Sequence, residues 1–313
     1  MSNNPTTVII GGVAGGMSTA TRLRRNDENR TIIVLEASGH VSFANCGLPY
    51  HVGGVIPDRS SLLLQTPEAL KERFNLDVRV NTRASSIDPD EQTVTTESGE
   101  VIRYDDLVLS PGATPFLPPI AGIETAYTLR TVEDVDRIAT AVPGKEKAVI
   151  IGGGFIGLEM AENLRHQGLA VTLVEAGSQI MGPLDVEMAA IVAKHMRDNG
   201  VDIRTNAQAT EISETGVTLQ NGQTLEADLV IAAIGVRPAS ELAQAAGLEV
   251  SDRGGIIVDA QQRTSDPHIF ALGDAATKKD IHSGDNTLVP LAQTANRHGR
   301  LVADIITGRT TSS

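Results

Sequence analysis

Two strand–glycine turn–helix units, Val8 to Gly16 and Val149 to Gly157, are each followed about twenty residues later by a glutamate that ends a second strand. They predict an α/β protein of two Rossmann-like dinucleotide domains. An apolar strand from Ile269 to Leu272 resembles neither unit's start, which predicts that the chain returns to complete the first unit and that the second is inserted in it. The expected boundaries are residues 1–114 with 243–313 for the outer domain and 115–242 for the inserted one. A length of 313 residues suits two domains with ample cores.

In the first unit Val8, Ile9 and Ile10 form a short β-branched strand that runs into Gly11, Gly12, Val13, Ala14, Gly15 and Gly16. A helical pattern follows from Met17 to about Arg25, and the next strand, Thr31 to Leu35, ends on Glu36. Glycines here let the backbone approach a pyrophosphate at a helix N-terminus, and the acid takes a ribose hydroxyl. The middle fingerprint position is Val13, a departure from G-x-G-x-x-G. The second unit keeps all three glycines, Gly152, Gly154 and Gly157, with Phe155 and Ile156 opening a helix to about His166. After Gly168, Val171 to Val174 is a strand ending on Glu175. Each unit later carries an apolar strand before a glycine: Asp106 to Ser110 before Gly112, and Asp228 to Ile231 before Gly235. Two such units imply two dinucleotides. Pro111, Pro115, Pro118, Pro119 and Gly122 mark a crossing between domains, and Thr131 to Ala141 reads as a helix before the Pro143-Gly144 break. Past Ile269, Gly273 delivers Asp274 to a helix start, which suits a sugar hydroxyl or, equally, a helix cap.

Composition narrows the function. With 26 basic against 39 acidic residues the net charge is −13, against a nucleic-acid partner or an anionic membrane surface. No apolar run reaches the ~20 residues of a membrane span. The opening residues, Met1 to Thr7, lack the basic and apolar regions of an export signal. A single cysteine in 313 residues excludes an internal disulfide, and the expected compartment is the cytoplasm. His40, His166, His195, His268 and His282 show no metal-ligand spacing, so no metal is expected.

That cysteine, Cys46, lies in Ser42-Phe43-Ala44-Asn45-Cys46-Gly47-Leu48-Pro49-Tyr50. Gly47 and Pro49 predict a turn entering a first helical turn, where proline costs no backbone donor. Backbone donors facing a thiol favour the nucleophilic thiolate. The competing reading is a buried structural cysteine. Ser18, Arg22 and Arg25 stand three and four apart and share a helix face, as an anion site or as cations gathered at a helix C-terminus.

In this order, Gly11 to Gly16, Cys46, Gly112 to Pro115, Gly152 to Gly157, Gly235 to Pro238 and Leu272 to Asp274 resemble the pyridine nucleotide-disulfide oxidoreductases with a glutathione-reductase-like fold. The cysteine segment, with Gly12 to Gly16, is most similar to the single-cysteine branch of coenzyme A-disulfide reductases and NADH-dependent persulfide reductases. The resemblance implies FAD on the first domain, over Gly11 to Gly16 with the adenosine ribose on Glu36. It implies Asp274 at the ribitol chain, Ala84, Ser110, Gly112 and Arg130 along FAD, and Ala292 near the pyrimidine. It places NADH, with NADPH as the alternative, over Gly152 to Gly157, and Glu159 near the nicotinamide, although an ordinary helix glutamate would look the same. It makes Cys46 redox-active, with Ser42 and Asn45 on its substrate side. Ser18, Arg22, Arg25 and Asn296 would meet a coenzyme A-linked disulfide or persulfide.

Departures from the pattern matter as well. The second redox cysteine of two-cysteine reductases would stand at His51, so the sulfur partner must come from elsewhere. The glycine-loop histidine of the peroxidase and oxidase branch is Ala14 here. Two alternatives stay open: an NADH oxidase or peroxidase cycling Cys46 through a sulfenic acid, and a ferredoxin- or rubredoxin-type electron-transfer reductase. Relatives continue past a segment like Leu301 to Arg309 into a dimerisation domain, which this chain is expected to lack.

Overall fold

In the computed structural model, residues 4–309 are described. The expectation drawn from the first three residues, and that drawn from the chain's last four, lie outside them. In chain order the elements that build the sites are β1 (Thr6–Ile10), α1 (Ala14–Asn26), β2 (Thr31–Leu35), α2 (Leu48–Val52), β3 (Asp77–Arg79) and β4 (Asp106–Leu109). Next come α3 (Val132–Ala141), β5 (Lys147–Ile151), α4 (Phe155–His166), β6 (Ala170–Val174), α5 (Val186–Asp198), β7 (Val201–Arg204) and β8 (Leu229–Ala232). The chain closes with β9 (Ile269–Ala271) and α6 (Ala292–Ile306). The first helix starts inside the glycine run, three residues earlier than its apolar pattern predicts.

The chain divides into two compact units: residues up to Phe43, Leu63–Thr114 and from Arg237 on; and Ala44–Leu62 with Pro115–Val236. The first unit holds a five-stranded parallel sheet in the order β9-β4-β1-β2-β3. The return strand expected at Ile269 thus lies at its edge beside β4. Both sheet faces are covered, so its strands read as continuous apolar runs rather than alternating ones. Val8, Ile10, Leu107 and Leu109 point into one core, while Ile9, Val108 and Phe270 meet Met17, Ala20 and Leu23 of α1 and Val302 of α6 in the other. The inserted unit repeats the plan in a four-stranded parallel sheet, β7-β6-β5-β8. Each unit adds a three-stranded antiparallel sheet: Ala84–Asp88, Thr93–Thr96 and Val101–Arg103 in one, Ala209–Ser213, Gly216–Leu219 and Thr224–Glu226 in the other.

Two differences from the expected boundaries stand out. The second crossing falls at Val236–Arg237 rather than 242–243, and Ala44–Leu62 is compact with the second unit instead of the first. Tertiary packing draws that segment across. Arg59 grips Asp136 of α3 through Nε and Nη2, which donate to its two carboxylate oxygens at 2.6 and 2.7 Å. Gly53, directly after α2, lies so near α4 that a Cβ would sit 2.0 Å from Oδ1 of the buried Asn163. The α3 helix itself is held by a capping box between Thr131 and Asp134, a signal present in the sequence.

Gly53 has an ordinary helical backbone, so the demand for glycine comes from packing alone. Gly53→Ala is expected to cost about 1–3 kcal/mol in urea unfolding through overpacking. An unchanged midpoint would show that α2 and α4 can separate freely.

Candidate functional site

The two glycine turns share one steric pattern. Gly11 and Gly152 have φ of +101° and +112°, and a Cβ would lie 2.1 Å from Ser110 O in one and 2.3 Å from Ala233 O in the other. A Cβ on Gly16 would meet Gly11 O at 1.9 Å, and one on Gly157 would meet Gly152 O at 2.0 Å. These glycines are dictated by the fold. Each turn is then tied to its second strand by the glutamate. Glu36 accepts from Gly12 N at 2.7 Å and from Ser38 N and Oγ, both at 2.8 Å. Glu175 accepts from Gly153 N and Gly177 N, both at 2.7 Å.

The repeat extends further than its glycines suggest. Ser42 N donates to Gly12 O at 3.0 Å and Met181 N to Gly153 O at 2.7 Å, and both residues lie in the left-handed region, at +46° and +50°. Asn81 and Asn206 form a second such pair, at +51° and +50°, bonding Ser38 O and Gly177 O. The conformation of Ser42 therefore belongs to the scaffold. The signals lie in the sequence as Glu-Ala at 36–37 and 175–176, and as Arg-x-Asn at 79–81 and 204–206.

On the first unit Gly15, Ser110 and Gly273 come together beyond the carboxyl ends of β1, β4 and β9, where open parallel sheets bind ligands. A Cβ on Gly15 would touch Leu272 at 2.2 Å, Ser110 Oγ at 2.7 Å and Ala295 at 3.5 Å, and one on Gly273 would lie 3.6 Å from Ala295. Asp274 stands half-buried in the short turn Gly273–Ala275, and Ala292 is exposed at the start of α6. Gly112 has φ +77°, and Ala84 opens its antiparallel strand half-buried. Val13 caps α1 without a side-chain bond, and Ala14 begins the helix. Helix α6 crosses α1 closely, since a Cβ on Gly299 would lie 2.5 Å from Gly15 O. Here the shared helix face departs from expectation. Arg22 makes a two-pronged ion pair with Asp304 of α6, at 2.8 and 3.0 Å, and Asn26 donates to the same carboxylate. Ser18 donates to Asn296 Oδ1 at 2.8 Å, while Arg25 is exposed.

On the second unit a cavity of about 820 Å³ opens along Gly152, Gly153 and Gly154, past Glu175 and Gly177–Gln179 to Asp185 and Glu187, with Gly235 opposite. Its charged lining residues are all acidic. Gly154 caps α4 with a negative φ, and a Cβ there would meet nothing within 4 Å. Serine or aspartate caps a helix as well as glycine does. Nothing in the fold requires glycine at 154, and its backbone faces the cavity openly. Arg130, also on this unit, is half-buried, with its amide bonded to Asp134 at 2.9 Å.

Cys46 is exposed, in the turn Asn45–Gly47 that leads into α2, with Pro49 in the first turn as its sequence predicts. Gly47 is pressed between Leu62 and Ile56, at 3.0 and 3.2 Å from where its Cβ would be. Leu48, Pro49 and Val52 are buried, which turns Cys46 and the half-buried Tyr50 to the other side. Burial raises the Tyr50 phenol above its ordinary pKa, with Glu159, Glu162 and then Cys46 adding to it. Burial also raises Glu159, followed by the charge of Glu162. The sequence reading missed Tyr50 and Glu162, although Tyr50 stands four residues after Cys46. His51 is turned back into its own loop, its Nδ1 2.7 Å from Ile56 O. Among the described residues no three of His, Cys, Asp or Glu are placed to hold a metal ion, and no helix is long and apolar enough to cross a membrane.

Two glycine turns clamped by glutamates, at the carboxyl ends of two parallel sheets, define a protein of two dinucleotide modules. Residues 5–299 match the family model described as "Pyridine nucleotide-disulphide oxidoreductase", and the chain belongs to that family. It is 32% identical over 308 residues to the coenzyme A disulfide reductase of Staphylococcus epidermidis, covering 96% of this chain and 70% of that one. Among solved structures it is similar to reduced Bacillus anthracis CoADR-RHD, with TM-score 0.95 and 47% identity over 99% of this chain. It is also similar to an NAD-dependent persulfide reductase from A. fulgidus, with TM-score 0.95 and 37% identity over 98% of this chain. The chain spans 58% and 60% of those two proteins.

The glycine analysis predicts a split between two substitutions. Gly157→Ala should destabilise the protein by about 1–3 kcal/mol or more, because its Cβ would strike a backbone oxygen. Gly154→Ser should leave thermal unfolding unchanged and weaken NADH binding about tenfold, read by titration. Equal effects of the two on unfolding would show that position 154 serves the fold.

Proposed function

We propose that this chain takes FAD on the first unit and NADH on the second, and passes an electron pair to sulfur at Cys46. The substrate is a coenzyme A-linked disulfide or persulfide. The observation that carries this reading is an exposed lone cysteine, braced on the helix that opens from the second glycine turn, in a chain built of two dinucleotide modules. The names of the similar enzymes support the sulfur substrate. FAD, when bound, supplies the two-electron link between a nicotinamide and a sulfur.

The chain's own residues do the rest. The Cys46 thiolate attacks one sulfur of the substrate disulfide, a new S–S bond forms, the old one breaks, and the other half leaves as a thiolate that takes up a proton. Two electrons and a proton then return Cys46 and the second thiol. Asn45, in the same turn, orients the bound sulfur. Burial raises the pKa of both Glu159 and Tyr50 beside this turn. Gly11, Gly12, Gly15 and Gly16 bring the backbone to the FAD pyrophosphate beside Val13 and Ala14, with Glu36 at the adenosine ribose. Ser110, Gly112, Gly273, Asp274, Ala84 and Ala292 complete the flavin set. Gly152, Gly154, Phe155, Ile156, Gly157, Gly235, Glu159 and Glu175 receive the nicotinamide nucleotide. Ser18, Arg25 and Asn296 remain for the nucleotide end of coenzyme A, with Arg22 committed to Asp304 as their brace.

Two outcomes are expected. Cys46→Ser should reduce turnover of coenzyme A disulfide at least a hundredfold while NADH-dependent dye reduction persists; retention of disulfide turnover would overturn the proposal. The acidic lining of the second cavity opposes a 2′-phosphate, so kcat/KM should be at least about tenfold higher with NADH than with NADPH. Steady-state assays with both nucleotides check it, and a preference for NADPH would reassign Glu175.

A further inference from the structure

We infer that Lys278 is a positioning residue for the flavin dinucleotide: its ammonium holds the Gly273–Ala275 turn in the shape that presents Asp274. This rests on the reading that Asp274 serves FAD. The turn leaves few ways to satisfy its carbonyls. Ala275 O accepts from Ile256 N at 2.8 Å, but Gly273 O has only a long bond from Ala276 N, at 3.4 Å. Lys278 Nζ supplies what is missing by donating to Gly273 O and, at 2.9 Å, to Ala276 O. One side chain thus bridges both flanks of the aspartate.

A half-buried ammonium is costly, and the chain had cheaper means of capping two carbonyls. Burial pulls the Lys278 amine down to about 8, and Asp274 only partly offsets this. From its own turn Lys278 faces Asp274; from α6 it faces His298, which in turn faces Arg297. The strand Asn286–Thr287, which pairs with Lys278 and Lys279, brings no titratable side chain. Burial first, then Lys278 and Arg297, keep the His298 imidazole neutral, and its buried Nδ1 has no protein partner. A neutral imidazole spares the ammonium a second positive neighbour. As pH rises through the amine's range, Lys278 sheds its proton, the two carbonyls lose a charged donor, and Asp274 loses a positive neighbour. The hold on the turn then weakens.

The test is the rate of FAD release from the purified holoprotein on dilution, read by the rise in flavin fluorescence between pH 6.5 and 9.5. Wild-type release should accelerate through about pH 8. Lys278→Met should release FAD about tenfold faster at pH 7, with no pH dependence, since two charge-assisted bonds are lost. Lys278→Arg, charged throughout, should restore slow release at pH 7 and remove the acceleration. Release from Lys278→Met at the wild-type rate, or an arginine variant as pH-sensitive as wild type, would overturn the inference. A wild-type protein that purifies without flavin would instead overturn the cofactor reading itself.

Discussion

The interaction on which both binding sites depend is a carboxylate that accepts two amides. Glu36 and Glu175 each close the end of a second strand onto the glycine turn that follows the first strand. Such bonds to an ionised acceptor are shorter and roughly twice as strong as neutral ones. Each clamp sets the turn before any ligand arrives, so the following helix begins at a defined place with its free amides gathered together. The acid long associated with a ribose contact in this motif therefore has structural work as well. The same clamp recurs in both turns although their sequences share only some glycines.

Most of the plan was legible in the sequence because its signals are local: β-branched strands, glycines at fixed spacing, an acid at a strand end. Two features were legible but went unread, the left-handed pairs Ser42 with Met181 and Asn81 with Asn206. The chemical types differ at the first pair, and only the backbone conformation is shared. Other features had no local signature. Nothing in Ala44–Leu62 announces that it is compact with the inserted unit, because its partners Asp136 and Asn163 lie about a hundred residues away and act through shape and one ion pair. The pairing of Arg22 with Asp304 spans most of the chain and makes Arg22 a brace between α1 and α6, leaving Ser18 and Arg25 on the shared face.

Around Cys46 the electrostatics follow from the same long-range packing. Docking α2 on α4 brings a phenol and two carboxylates together beside an exposed thiol, and burial raises the pKa of the Tyr50 phenol and of the Glu159 carboxyl. Had α2 packed elsewhere, Glu159 and Glu162 would be ordinary residues of a surface helix. The seam at Gly53 and Asn163 thus does for the cysteine what the glutamate clamps do for the turns: it fixes distance through backbone proximity rather than through a flexible side chain.

The contrast between Val13 and Gly154 reaches beyond binding. Of the glycine positions in the turn, those at 11 and 16, like those at 152 and 157, are dictated by sterics within the fold, whereas the middle one is not. That middle position can therefore differ between the two units without breaking the turn: Val13 places a side chain there, and Gly154 leaves the backbone open. Within six residues, what the fold demands and what an approaching molecule would meet fall on different positions, so one scaffold can present two different faces.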